Sequence, residues 1–263
     1  MKIATWNVNS LKVRLEHVCR WLETTQTDIL CLQELKLAHE LFPIDALQMI
    51  GYDAVWAGQK TYNGVAILYR KDTVSNPRET VINIPTFDDV QQRLVATTLS
   101  TAVGDIRVVS AYFPNGAEVG CDKYAYKLQW LEHLTAWLKD EMTRYPQLML
   151  LGDFNIAPDD RDVWNPKAWE GNILVSEPER TAFRRLIDLG LHDSFRLFEQ
   201  PEGLFTWWDY RMLGFQKNHG VRIDHALVTD TIKEKILATC IDKDPRKWVK
   251  PSDHTPYCVT LKS

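Results

Sequence analysis

The chain has 263 residues, of which 45% are hydrophobic and 25% charged. These values exclude a disordered, collagen-like or membrane-embedded chain and allow a large core without disulfides or structural metal. With Lys+Arg at 31 and Asp+Glu at 35 the net charge is −4, which excludes histone-like binding of nucleic acid but not a local basic groove.

The N-terminus enters a strand-like run at 2–6 with no signal-peptide core. Further strand-like segments are expected at 28–32, 64–69, 79–84, 93–99, 105–112, 147–151, 222–228 and 257–261. Leu11, Leu15, Val18 and Leu22 predict a helix over 11–24, with Ser10 as its N-cap. Leu128, Leu131, Leu134 and Leu138 predict a second over 123–144, and a third over 180–190 ends at Gly190. Several strands follow one another without a helix between, so a mixed or antiparallel sheet flanked by helices is expected. The 155–178 stretch is long and irregular, which marks it as functional. One domain over 1–263 is expected. Cys19, Cys31, Cys121, Cys240 and Cys258 are odd in number and never closely spaced, which fits a reducing, cytoplasmic setting.

Polar groups follow the apolar runs repeatedly: Asn7 after Thr5-Trp6, Glu34 after Leu32-Gln33, Asp153 after Leu151-Gly152, Asp224 after Ile223. Asp253-His254 precedes the last strand. Any one such aspartate reads first as a turn former or cap. If the strand ends converge, however, Glu34, Asp153, Asp224 and Asp253 cluster with Asn7, Asn155 and His254. Hard oxygen donors of this kind suit Mg²⁺ or Mn²⁺ and phosphoryl chemistry.

Six segments carry a resemblance: 5–11 (Thr-Trp-Asn-Val-Asn-Ser-Leu), 32–36 (Leu-Gln-Glu-Leu-Lys), 62–66 (Tyr-Asn-Gly-Val-Ala), 152–157 (Gly-Asp-Phe-Asn-Ile-Ala), 222–224 (Arg-Ile-Asp) and 252–256 (Ser-Asp-His-Thr-Pro). In order and spacing they resemble the exonuclease III / apurinic-apyrimidinic endonuclease family of the endonuclease/exonuclease/phosphatase superfamily. The resemblance implies a four-layered α/β sandwich, an α/β (α+β) fold with two mostly antiparallel sheets face to face and helices outside. It implies a Mg²⁺-dependent (or Mn²⁺-dependent) hydrolase that acts as 3′-5′ exonuclease and 3′-phosphatase on duplex DNA and incises abasic sites. By resemblance, Glu34 and Asn7 form the metal site and Asp253 is a further ligand there or nearby. Asp153 activates water or protonates the leaving group, Asn155 orients the water, and Tyr112 lies near the phosphate. His254 contacts the phosphate and is held by Asp224. Lys36, Asn115, Trp207, Trp208, Arg211 and Arg222 are the implied DNA contacts, Lys36 alternatively pairing with Glu34.

The chain departs from the family pattern after Asn165-Pro166-Lys167, where Trp169 and Glu170 would narrow the abasic-site pocket and leave 3′-end processing dominant. The alternative function is a phosphoinositide or sphingolipid phosphodiesterase of the same superfamily; Trp207-Trp208-Asp209-Tyr210-Arg211 favours DNA. A non-catalytic DNA-binding relative would have lost at least one reactive residue, and none is missing. The remaining histidines, His225 included, are expected to be packing or surface groups. A monomer acting on duplex DNA away from membranes is the expected working state.

Overall fold

In the computed structural model, residues 1–262 are described. The first sheet contains β1 (Lys2–Asn7), β2 (Ile29–Gln33), β3 (Tyr52–Ala57), β4 (Val65–Arg70), β13 (Ile236–Ile241) and β14 (Tyr257–Leu261). Its spatial order is β13-β14-β1-β2-β4-β3. The second contains β5 (Val74–Ile82), β6 (Leu94–Thr101), β7 (Gly104–Tyr112), β8 (Leu148–Asp153), β9 (His192–Asp193) and β12 (Asp224–Val228). Its order is β5-β6-β7-β8-β12-β9. A two-residue ribbon, β10 (Trp207–Trp208) with β11 (Gly220–Val221), stands apart. The six helices are α1 (Leu11–Thr25), α2 (Ile44–Met49), α3 (Asp122–Arg144), α4 (Pro166–Trp169), α5 (Glu177–Asp188) and α6 (Asp230–Lys233).

Three apolar layers hold the sheets and helices together. Ile3, Ile29, Cys31 and Ile67 from the first sheet meet Val95, Val108, Met149 and Val228 from the second. On the outer face of the first sheet, Ala4, Trp6, Leu30 and Leu32 pack on Val18, Trp21 and Leu22 of α1 and Leu47 of α2. On the outer face of the second, Val109, Leu148 and Leu150 pack on Leu131, Leu134 and Leu138 of α3 and Ala182 and Phe183 of α5. The order is therefore helix, sheet, sheet, helix. Period-2 alternation makes it possible: Leu148 and Leu150 look outward while Met149 and Leu151 look to the inter-sheet core.

All sheet pairings are antiparallel except two. β1 runs parallel to β2 across α1, and β7 runs parallel to β8 across α3. Each parallel pair sends two carboxyl ends to the same rim of the sandwich. β12 and β14 run against them, so their amino ends reach that rim.

The expected strands are present, with ends shifted by one or a few residues. Two edge strands, β3 and β13, had no clear sequence signal. The third helix starts at Glu177 rather than residue 180, because Glu179 accepts from the Ser176 N–H (3.2 Å) and hydroxyl (2.6 Å) and fixes an earlier start. Ser10 occupies the N-cap position of α1, as expected, but does not cap it through its side chain. Its φ is 88° and its side chain makes no cap hydrogen bond.

Candidate active site

Register brings the polar strand ends together. Tyr112 closes β7 opposite Asp153 at the end of β8, and Asp224 opens β12 opposite the same Asp153. Asn7 ends β1 beside Gln33, and Glu34 follows β2 immediately. An isolated bridge pairs Trp207 with His254. Gly152 is required by close approach: a Cβ there would sit 1.8 Å from the Ala111 carbonyl oxygen. Only a glycine lets β7 and β8 lie together where Asp153 is presented.

Asn7 links the two sheets. Its Nδ2 donates to Glu34 Oε1 (2.9 Å) and to Asp153 Oδ2 (2.8 Å), and its Oδ1 accepts from the Asn9 N–H (3.0 Å). Asp224 Oδ2 bonds His254 Nδ1 at 2.8 Å, and His254 Nε2 faces Asp153 Oδ2 at 3.6 Å. Asp224 is further fixed by Thr206, whose hydroxyl accepts from the Ile223 and Asp224 N–H groups at 3.0 Å each. Ser252 performs the same task for the histidine: its hydroxyl donates to the Asn7 carbonyl (2.7 Å) and accepts from the His254 N–H (3.2 Å).

Asn155 sits at φ 49°, in the left-handed region, held by its N–H to Asp153 Oδ1 (2.9 Å). Its Nδ2 donates to the Phe113 carbonyl (3.0 Å), and its Oδ1 accepts from Asn115 Nδ2 (3.2 Å). Glu34 and Lys36 also have φ of 52°. Strained non-glycine residues gathered at one rim mark a site whose surroundings over-determine it.

The electrostatics follow from burial plus crowding. Burial raises the Asp153 carboxyl to about 7; Asp224 and Glu34 add to the rise, against His254 and the Asn7 hydrogen bond. Burial opposes charge on His254, yet Asp224 and Asp153 outweigh it and lift the imidazole to about 10. Burial pushes the Tyr112 phenol well above its ordinary value, and the negative charges of Glu34 and Asp153 push it further. At neutral pH the site therefore holds an imidazolium facing a carboxylate that can accept a proton, with a neutral phenol beside them.

Glu34, Asp153 and His254 each offer a donor atom within 4.8 Å of the others. A divalent cation fits this set, because several carboxylates share one buried rim and Asp224 Oδ1 has no hydrogen-bond partner. The protonated His254 has no lone pair to give, so the oxygen groups carry that role. Glu34 is meanwhile paired with Lys36, Nζ to Oε2 at 2.8 Å, and Lys36 also donates to Asn9 Oδ1 at 2.6 Å.

Asp253 lies outside this three-donor group. Its oxygens accept from Asn9 Nδ2 (3.1 Å) and Trp207 Nε1 (3.0 Å). Two expected DNA contacts need correction. Trp208 is fully buried, its ring edge-on to Phe215 and its Nε1 bonded to Asn218 Oδ1 (3.2 Å). Arg222 is 1% exposed: Nε binds Asp162 (2.7 Å) and Nη2 binds Asp193 (2.7 Å), so no DNA reaches it. Trp207 is half-buried at the rim, with Trp169 edge-on at 6.4 Å. Arg211 is exposed and paired with Asp209 (2.6 Å). Glu170 is exposed on the loop after α4.

A supporting residue was missed. Lys127 of α3 is fully buried against Glu179 and donates to the carbonyls of Asn155 (2.7 Å) and Asn115 (3.2 Å). It ties both asparagines to the outer helices. Its signal was a lysine four residues before Leu131 on the apolar stripe of α3.

Beside Tyr112, a groove of about 560 Å³ lined by Tyr62, Asn63, Arg93, Asn115 and Lys123 extends the site along the rim. No helix is long and apolar enough to cross a membrane among the described residues.

Residues 4–254 match the family model described as Endonuclease/Exonuclease/phosphatase family. The chain is 35% identical to exodeoxyribonuclease III of Haemophilus influenzae, with 100% of each chain covered. Its fold superposes with a TM-score of 0.95 on a 3′ phosphatase from Neisseria bound to product DNA hairpin, at 44% identity and full coverage of both. An AP endonuclease from Archaeoglobus fulgidus superposes with a TM-score of 0.93 at 34% identity, again with full coverage.

Proposed function

The chain belongs to the Endonuclease/Exonuclease/phosphatase family, in its exonuclease III / AP endonuclease branch, and from that premise we propose a metal-dependent hydrolase of duplex-DNA 3′ ends. It would act as one domain over 1–263, releasing nucleotides and 3′-phosphates, with abasic-site incision weaker. The observation that carries this reading is the buried Asp224–His254 pair facing Asp153 beside Glu34.

The geometry supports the following roles. Asp153, raised to about 7, is a base suited to taking a proton from water near neutral pH. His254, kept charged by Asp224, is a fixed cation for a phosphate oxygen. Asn155 and Asn115 turn amide groups to the same place, with Lys127 holding their backbones. Tyr112 is a neutral hydrogen-bond donor. Glu34 and Asn7 would hold Mg²⁺ or Mn²⁺, with Asp253 at the margin. Once bound, the cation offsets phosphate charge. Lys36, Trp207 and Arg211 are the remaining DNA contacts in this reading. Trp169, against Trp207, narrows the pocket on the abasic side. The lipid alternative is not favoured: the exodeoxyribonuclease III and the AP endonuclease match this chain along their whole length. The scattered free cysteines support a reducing, cytoplasmic setting, in which the chain would act as a monomer.

The test is a panel of labelled duplexes with Mg²⁺ or EDTA: a recessed 3′-hydroxyl, a nick with 3′-phosphate and an internal abasic analogue. Mg²⁺-dependent release at 3′ ends, with abasic cutting at least tenfold slower, is expected. Equal abasic cutting would refute the narrowed pocket. Cleavage of none of the three would refute the DNA reading.

A further inference from the structure

We propose that Cys240 and Cys258 form a reversible thiol–disulfide couple, a modification site remote from the nuclease rim whose reactant is a small-molecule disulfide. The inference is independent of the proposed nuclease activity.

Strand register carries it. In the antiparallel pair β13–β14, Cys240 stands directly opposite Cys258. Directly opposed residues project from the same face of a sheet. Two positions along, the Asp242 N–H donates to the Pro256 carbonyl at 3.0 Å, which makes the cysteines a hydrogen-bonded pair. Such pairs have Cα atoms about 5.5 Å apart, inside the disulfide range of about 4.4–6.8 Å. Joining the sulfurs draws the two Cβ atoms to about 3.5–4.5 Å, a movement that falls on the edge strand β13.

Access divides the labour between them. β13 is the edge strand of its sheet, and Cys240 is exposed on it. Cys258 is 4% exposed, packed in the layer with Trp21 and Leu22 of α1. Reactivity agrees with access. Hydrogen bonding from Cys258 and the charge of Lys2 lower the Cys240 thiol to about 7, against burial and Asp242. Cys258, as donor, is held well above the usual thiol value. Cys240 is the attacking sulfur and Cys258 the resolving one. The other thiols lack such a partner: Cys31 is fully buried, and Cys19 and Cys121 stand alone on or beside helices.

The chemistry balances without further reactants. The Cys240 thiolate attacks one sulfur of the small disulfide, forms a mixed disulfide and expels one thiolate. Cys258 gives up its proton and attacks the Cys240 sulfur, expelling the second thiol. Two cysteines are oxidised, one small disulfide is reduced, and the two protons leave on the two small thiols. The new bond closes the chain over 241–257, which contains Asp253 and His254. It fastens both ends of that segment, while the Arg246 to Ser252 carbonyl contact (2.5 Å) already braces its middle.

The experiment incubates the native protein with oxidised glutathione, traps free thiols with N-ethylmaleimide in acid, and maps peptides by mass spectrometry. The expected product is a Cys240–Cys258 cross-link with loss of two hydrogens, reversed by dithiothreitol. The surface variant Cys240→Ser should leave Cys258 reduced. In Cys258→Ser the glutathione adduct on Cys240 should persist at least tenfold longer than in the native protein. A lasting glutathione adduct on native Cys240, or maleimide on both cysteines after oxidation, would overturn the proposal.

Discussion

Two buried charge clusters lie a residue apart on β12, each built around a histidine and carboxylates, the second with arginines added. Asp224 faces the rim with His254, Asp153 and Glu34. His225, the next residue, faces the other side with Arg222, Asp162 and Asp193. The second cluster is charge-matched. Arg222 spans two carboxylates, and Arg196 adds a second cation on Asp162. Burial would raise Asp193, yet Arg222 and His225 hold it below the usual carboxylate range. His225 is lowered to about 4, by burial first and Arg222 next, and its Nε2 meets the Ile156 carbonyl at 2.8 Å. The first cluster has too many carboxylates for its cations, leaves Asp224 Oδ1 unpartnered, and lifts Asp153 to about 7. A matched buried network specifies structure, and an unmatched one is ready for a proton and a metal.

Substitutions can break that contrast in opposite ways. Asp153→Asn keeps shape but removes the base, so 3′-end release should fall by about 10³-fold or more while melting still occurs cooperatively. A fall below tenfold would move the base elsewhere. Arg222→Met leaves buried Asp193 without its arginine and Asp162 with Arg196 alone. It should cost about 3–5 kcal/mol of stability in denaturant unfolding. The fraction still folded should cleave at near the native kcat. A lost kcat with intact stability would merge the two clusters into one functional unit.

Weaker effects sharpen the comparison. Arg211→Ala removes an exposed cation from the rim, so KM should rise a few-fold with kcat unchanged. The salt slope of DNA affinity should drop by about 0.9, the value for one phosphate contact. An unchanged slope would exclude Arg211 from the DNA path. The last effect is pH-linked and confined to acid. His225 binds its proton less readily when folded (about 4) than when unfolded (6.5), so its contribution to stability is full above 6.5 and is lost as pH falls toward 4. Unfolding free energy of the native protein should decline over that window, and His225→Gln should flatten the decline. An equal slope in both would assign the acid sensitivity to other groups.

The sequence made the rim legible because each reactive residue ends or precedes an apolar run, where register forces convergence. Glu34, Asp153, Asp224 and His254 all obey that rule. Local sequence did not tell faces apart. Trp207 and Trp208 look equivalent in the chain, but neighbours on a strand point opposite ways, one to Asp253 and one to the loop interior. Arg222 resembles a surface cation until its partners arrive from positions 162 and 193, too distant in sequence to be read locally. β13 was missed because an edge strand with a bulge lacks clean alternation. The two-sheet stacking entered through the resemblance, since periodicity reports which residues are inside but not what covers them.

The absent side chain at Gly152 has a consequence for how this protein can vary. The spacing of two strands and the position of the base are fixed by one and the same vacancy. A screen for variants that fold but do not cleave would find many at 153 and none at 152, because any larger residue there forces the strands apart before chemistry is tested. The position is a point where heritable change in the reaction cannot be separated from change in the architecture, and libraries aimed at new activity should leave it untouched.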